Sequence, residues 1–328
     1  KTPAITMNSI ELCAGAGGQA LGLERSGFEH QVLVEIDAHA CATLRHNRPH
    51  WLVHEGDLSA FDARAYQGID LVAGGVPCPP FSKAGKQLGA DDERDLFPQA
   101  MRVVEETRPQ AVMLENVRGL LDAVFTDYRQ KIARQLQALG YWTDWHLFNA
   151  ADFGVCQLRP RVVFVALRRD LAEHFRWPAP SFQLPPTVGE LLGDLMGAQG
   201  WQGLEAWKER ANDIAPTLVG GSKKHGGPDL GPTRAKQAWA SLGVDGRGLV
   251  DAPPAADFVG MPRLTVRMCA RIQGFPDEWA FVGKKTPAYR QVGNAFPPPV
   301  AHAVSRQIAQ AIEAAAQARV SRTSLRAA

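Results

Sequence analysis

At 328 residues the chain is longer than one ordinary hydrophobic core requires, and 45% hydrophobic content fits one large folded unit with a smaller companion. Thirty-six basic against 34 acidic residues leave a net charge of only +2, so a polyanion partner has to be met by local clusters rather than by the field of the whole molecule. No apolar stretch approaches the roughly 20 residues of a membrane span, Lys1-Thr2-Pro3-Ala4 lacks a signal-peptide core, and five cysteines without Cys-x-x-Cys argue against a disulfide framework or a zinc site. The expectation is a cytoplasmic protein with reduced thiols, no membrane contact and no metal.

In chain order, short apolar runs at 9–13, 31–35, 52–54, 69–73 and 111–114, then a pair at 144–149 and 162–167, read as strands. Helical stretches fit between them at 19–26, 38–47, 97–107 and 127–139. The alternation predicts βαβ units around a doubly wound, mainly parallel α/β sheet. From Trp177 the texture changes: Trp177-Pro178-Ala179-Pro180 and Pro185-Pro186 break regular structure, and a Gly/Pro-rich stretch with few clear periods runs to about Gly260. Order returns with Pro297-Pro298-Pro299, which opens an alanine-rich helix over 300–318, and a frayed tail is expected from 319. The division expected is a larger unit of 1–175 plus 286–328 and a smaller, irregular one of 176–285.

Four local patterns carry chemistry. Glu11-Leu12-Cys13-Ala14-Gly15-Ala16-Gly17-Gly18 runs from a strand through a glycine turn into a helix, where backbone comes close to a nucleotide. Glu35 ends the next strand, placed for ribose hydroxyls, and Asp57 follows the third, placed for an adenine amino group. This pattern alone fits a nicotinamide enzyme, an S-adenosylmethionine enzyme or a turn with no ligand. Pro77-Cys78-Pro79-Pro80 puts one thiol beyond the strand at 69–73, a candidate nucleophile where a buried structural cysteine is the ordinary alternative. Glu115-Asn116-Val117 follows the strand at 111–114; if the two strands pair, Cys78 and Glu115 stand side by side within reach of one planar ring. Gln157-Leu158-Arg159-Pro160-Arg161 then presents two guanidinium groups able to grip a carbonyl, a phosphate or the Glu115 carboxylate.

With Arg263 to Pro276 and Tyr289-Arg290-Gln291-Val292-Gly293-Asn294-Ala295-Phe296-Pro297-Pro298-Pro299 added, the ordered blocks across nearly the whole chain resemble the cytosine-C5 DNA methyltransferases of bacterial restriction-modification systems. The resemblance implies a Rossmann-like methyltransferase fold with a small target-recognition domain. It implies transfer of a methyl group from S-adenosylmethionine, leaving S-adenosylhomocysteine, to carbon 5 of a cytosine flipped out of duplex DNA. Cys78 would add to carbon 6, Glu115 would bind the N3 and amino edge, Arg161 would hold O2, and Arg159 would brace the glutamate. Cofactor contacts are expected from Cys13, Gly15, Gly17, Gly18, Glu35, Ile36, Asp57, Leu58, Pro77 and Asn294. DNA contacts are expected from Ser82, Lys83, Lys86 and Gln87 in a lid over 79–95, and from Lys223, Lys224, Arg234 and Lys236. A monomer is expected, sharing its site with a restriction endonuclease without a stable complex, in the bacterial nucleoid. An RNA cytosine methyltransferase of the same architecture and a nicotinamide oxidoreductase are the other readings. The chain departs from the family pattern at Cys13, Ile36, Cys156 and Pro79-Pro80, none of which removes a reacting group.

Overall fold

The computed structural model describes residues 6–77, 95–181, 184–220 and 227–327, the last six by their backbone alone. Seven strands form one sheet: β1 Met7–Leu12, β2 Phe28–Glu35, β3 Val53–Glu55, β4 Leu71–Gly74, β5 Ala111–Val117, β6 Tyr141–Asn149 and β7 Pro160–Arg168. Their spatial order is β3-β2-β1-β4-β5-β7-β6, parallel from β3 to β5 and antiparallel where β7 meets β5 and β6. The strands lie where the apolar runs predict, because β4 and the first six residues of β5 are buried throughout and leave no polar face to set another register.

The chain steps from β1 outward through β2 to β3, then returns to place β4 on the other side of β1. That reversal opens a crevice at the carboxyl ends of the strands. Register fixes what meets there. Leu12 pairs with both Val34 and Gly74, and Gly74 pairs with Leu114, so Cys13, Glu35, Gly75 and Glu115 emerge in one row.

Helices α1 Gly18–Arg25, α2 Ala38–Asn47, α3 Phe97–Thr107 and α4 Thr126–Ala138 connect the strands, followed by the short α5 Arg169–Ala172. Asp37 caps α2 by accepting from His39 and Ala40 N–H. The region expected to be irregular contains helices α6 Val188–Met196, α7 Leu204–Arg210 and α8 Thr233–Ser241. Their brevity hides the period, but α6 carries its own start signal, a capping box between Thr187 and Glu190. Helices α9 Val266–Ile272 and α10 Lys285–Asn294 follow, and α11 runs from Pro298 to Ala327, through the stretch expected to fray.

One core joins early and late sequence. Trp279 is buried against the glycine turn, its Nε1 donating to Ala16 O at 3.0 Å, and Arg48 stacks over both Trp51 and Trp279. Helix α11 lies on α1 at Gly22, where a Cβ would meet Ala301 Cβ at 2.5 Å and His302 N at 2.7 Å, so only glycine permits this approach.

Candidate active site and cofactor cavity

The glycine turn leaves β1 with Cys13 and Gly15 in the left-handed region and enters α1 through Gly17. Glu35 organises it from β2: one carboxylate oxygen accepts from Gly15 N at 2.7 Å, the other from Ile36 N at 2.8 Å and Asp37 N at 2.7 Å. The turn is therefore held by the residue expected to meet a ribose. A cavity of about 720 Å³, within the range of small-molecule sites, lies over it. Cys13, Gly15, Gly18, Glu35, Ile36, Asp57, Leu58, Pro77 and Asn294 line this cavity. Gly17 does not: a Cβ there would strike Leu44 at 2.8 Å and Trp279 at 2.9 Å, so its absence of side chain serves the core beneath the turn.

The lining fits a ligand with a polar end. Gly15 has open space where a side chain would project. Glu11 and Gln19 line the cavity while almost wholly buried, and among the described residues Glu11 Oε2 together with both amide atoms of Gln19 has no hydrogen-bond partner. Burial pushes the Glu11 carboxyl well above the usual carboxylate range, with the Glu35 charge adding to the rise. Burial, then Glu35, Asp57 and Glu11, push the Cys13 thiol up to about 12, so it stays protonated beside the cavity. The orphaned atoms and the open glycine suit the amino-acid end of S-adenosylmethionine, while Glu35, Asp57 and Ile36 suit its adenosine.

Glu11 and Gln19 are functional candidates the motif reading passes over, as are Pro287, Arg290 and Gln291. The last three share a face of α10 with Asn294, spaced i, i+3, i+4 and i+7, a period visible in the sequence.

Glu115 closes the cavity at the other end. Its buried carboxylate pairs with Arg161 Nε at 2.9 Å, and a Cβ on Gly75 would come within 3.2 Å of it. Burial raises the Glu115 pKa, and Arg161, then Arg159, pull it back. Asn116 reaches across to β4's continuation, its amide donating to Val76 O at 2.8 Å. Arg159, expected to brace Glu115, does something else. Fully buried, it donates to Leu218 O at 2.8 Å, Gly293 O at 2.6 Å, Ala295 O at 3.1 Å and Gln157 Oε1 at 3.2 Å. It fastens the end of α10 and the segment at 218 to β7, and the brace on Glu115 is Arg161. Arg161 lies within β7 opposite Val117 of β5, while Arg159 precedes the strand and is taken by the carbonyls of Leu218, Gly293 and Ala295.

Cys78, Ser82, Lys83, Lys86, Gln87, Lys223 and Lys224 lie outside the described residues. Arg234 is exposed on α8, and Lys236 pairs with Asp229 at 2.9 Å.

Comparison with known proteins agrees with this geometry. Residues 7–310 match the family model of C-5 cytosine-specific DNA methylases. The chain belongs to this family. It is 59% identical over 308 residues to the Type II methyltransferase M.NgoMIV of Neisseria gonorrhoeae, covering 93% of this chain and 98% of that one. It is 56% identical over 313 residues to M.NaeI of Lentzea aerocolonigenes, covering 94% of this chain and 76% of the relative. Among solved structures, a DNA modification methyltransferase encoded within an Escherichia coli prophage superposes with a TM-score of 0.66 at 24% identity, over 94% of this chain and 99% of that one. Spodoptera frugiperda DNMT2 superposes at 0.65 and 17% identity, over 92% and 99%. These likenesses bear out the doubly wound methyltransferase fold, and family membership favours the DNA reading over the nicotinamide and RNA ones.

Proposed function

We propose that this DNA cytosine-C5 methyltransferase modifies one specific duplex sequence by a covalent route through Cys78, as the modification half of a restriction-modification system. The observation that carries the reading is the buried Glu115–Arg161 pair at the end of β5, beside the strand that leads to Cys78 and opening on the same cavity as Glu35.

S-adenosylmethionine, when bound over the glycine turn, supplies an electrophilic methyl group. Cys78 as thiolate adds to carbon 6 of the flipped cytosine, forming an S–C bond and making carbon 5 electron-rich. Glu115 in its protonated form gives its proton to N3 as negative charge develops on the ring and its other oxygen accepts from the amino group, and Arg161 fixes Glu115 while facing O2. Carbon 5 takes the methyl group, its proton leaves to a base, and expulsion of the Cys78 thiolate restores the ring. Arg159 acts from below by fixing the α10 turn that bears Asn294.

Sequence readout falls to the 176–285 region, with the remainder as catalytic unit. The protein works as a monomer in the cytoplasm, on nucleoid DNA, and a cognate endonuclease shares its site without a stable complex. Among the described residues no helix is long and apolar enough to cross a membrane.

Expression in a methylation-deficient host followed by bisulfite sequencing tests the reading. Protected cytosines in one recurring context are expected with the wild type, and none with Cys78→Ala, whose cofactor affinity stays near wild type. Protection by Cys78→Ala would refute the covalent route; an unprotected genome with wild type would refute the DNA reading.

A further inference from the structure

Outside the cavity, one charged cluster has a form that a solvated surface pair does not require. Asp245 has only a tenth of its side chain exposed, yet it accepts from Arg247 N at 3.0 Å, Nε at 2.9 Å and Nη2 at 3.0 Å, and from Arg263 Nε at 2.9 Å. One carboxylate thus anchors two guanidinium groups and leaves the cluster with a net positive charge. The Arg247 side chain is nonetheless 76% exposed. Side-on pairing occupies Nε and one N–H of Nη2, so the end-on fork, Nη1 with the second N–H of Nη2, is directed away from Asp245. An exposed arginine ordinarily loses side-chain entropy when it binds; this one is already fixed, fork outward.

Its position ties it to the reaction. Segment 245–250 lies between two others: Leu230 N bonds Gly246 O at 3.0 Å and Leu249 N bonds Pro228 O at 2.8 Å on one side, and Asp245 N bonds Pro262 O at 2.9 Å on the other. Gly220 presses against Arg290 and Asn294 of the cavity wall. Asp251 pairs with Lys285, first residue of the helix that forms that wall. Beside the two arginines stands an apolar tip, Phe258, Val259 and Met261, with Val259 91% exposed, around an open pocket of about 560 Å³. Fixed donors next to exposed apolar surface match a major groove, which offers base-edge acceptors beside thymine methyl groups.

Resting on the DNA-methyltransferase reading, we propose that Arg247, oriented by Asp245, reads a guanine of the recognition sequence through its O6 and N7. The wild-type bisulfite pattern first defines that sequence; a genome without protected cytosines would overturn the methyltransferase reading and this role together. Duplexes carrying 7-deazaguanine at one guanine at a time, which removes only N7, are then methylated by wild type and by Arg247→Ala, with cofactor affinity as the control for folding. At a single position the substitution is expected to lower wild-type kcat/KM roughly 3- to 10-fold, about half the discrimination of a bidentate pair, and to cost Arg247→Ala nothing further. Two results with an active wild type would overturn the proposal while leaving the methyltransferase reading intact. One is an equal loss on every duplex with a salt dependence shallower by about one charge, which marks a phosphate contact. The other is an unchanged pattern across all positions.

Discussion

Replacing Arg161 by Met strands the Glu115 carboxylate in a site where only 11% of its side chain reaches solvent. At a separation of 2.9 Å and an effective dielectric near 20, the attraction removed is about 332/(20 × 2.9), or about 6 kcal/mol. Desolvation of both groups offsets much of this, so the intact pair adds little net stability, whereas removing one partner costs about 3–5 kcal/mol. The loss has a pH signature. Burial already raises the Glu115 pKa, so its favourable contribution is complete below the unfolded value near 4.5 and is lost as pH rises through the folded value. Without Arg161 that pKa climbs further, and the deficit of Arg161→Met grows between pH 5 and pH 8. Urea unfolding of wild type, Arg161→Met, Glu115→Gln and the double variant at both pH values measures this. The double variant, with no charge to strand, is expected to be more stable than Arg161→Met at pH 8. Equal deficits at the two pH values, or single-variant effects that simply add, would refute the buried-charge argument. In methyl transfer both single variants are expected to fall about 10²- to 10⁴-fold.

Neutral His30 donates from Nε2 to Ala20 O and accepts at Nδ1 from Ser9 Oγ, and burial pushes its ring down to about 4. The unfolded chain takes up that proton near 6.5, so stability from neutral His30 is present above pH 6.5 and is lost as pH falls through 4, about 3 kcal/mol in full; unfolding of His30→Gln should lack this acid-dependent slope, and an unchanged slope would contradict it. Gly22→Ala forces α1 and α11 apart and should lower stability by about 1–3 kcal/mol in thermal unfolding, with a neutral result arguing that the two helices sit less closely than described.

The sheet was legible because its strands are continuous apolar runs punctuated by glycine and proline, and α3 because its buried residues recur along one face. The row of Cys13, Glu35, Gly75 and Glu115 followed from strand order and register. What stayed hidden depends on partners distant in sequence. Gly17 and Gly15 look alike in the motif, but Trp279 and Leu44 decide that one faces the core and the other the cavity. Arg159 and Arg161 are two residues apart and chemically identical, and only carbonyls from 218, 293 and 295 separate their tasks. Helices α6 to α8 were missed because each is nine residues or fewer, too short for a period to stand out between prolines and glycines.

The cavity is assembled from residues 11–40 and 287–296, with 56–58, 75–77, 96 and 115 between. During synthesis, roughly 280 residues must be added after the glycine turn before Asn294 and Phe296 exist to close it, about 14–56 s at ordinary elongation rates. Throughout that interval the nascent chain has the β1–α1 turn but no far wall, and Gly22 waits bare for α11. Competence to hold the methyl donor therefore arrives late, and a truncated chain ending before α10 is expected to carry Glu35, Glu115 and Arg161 without being able to begin the reaction.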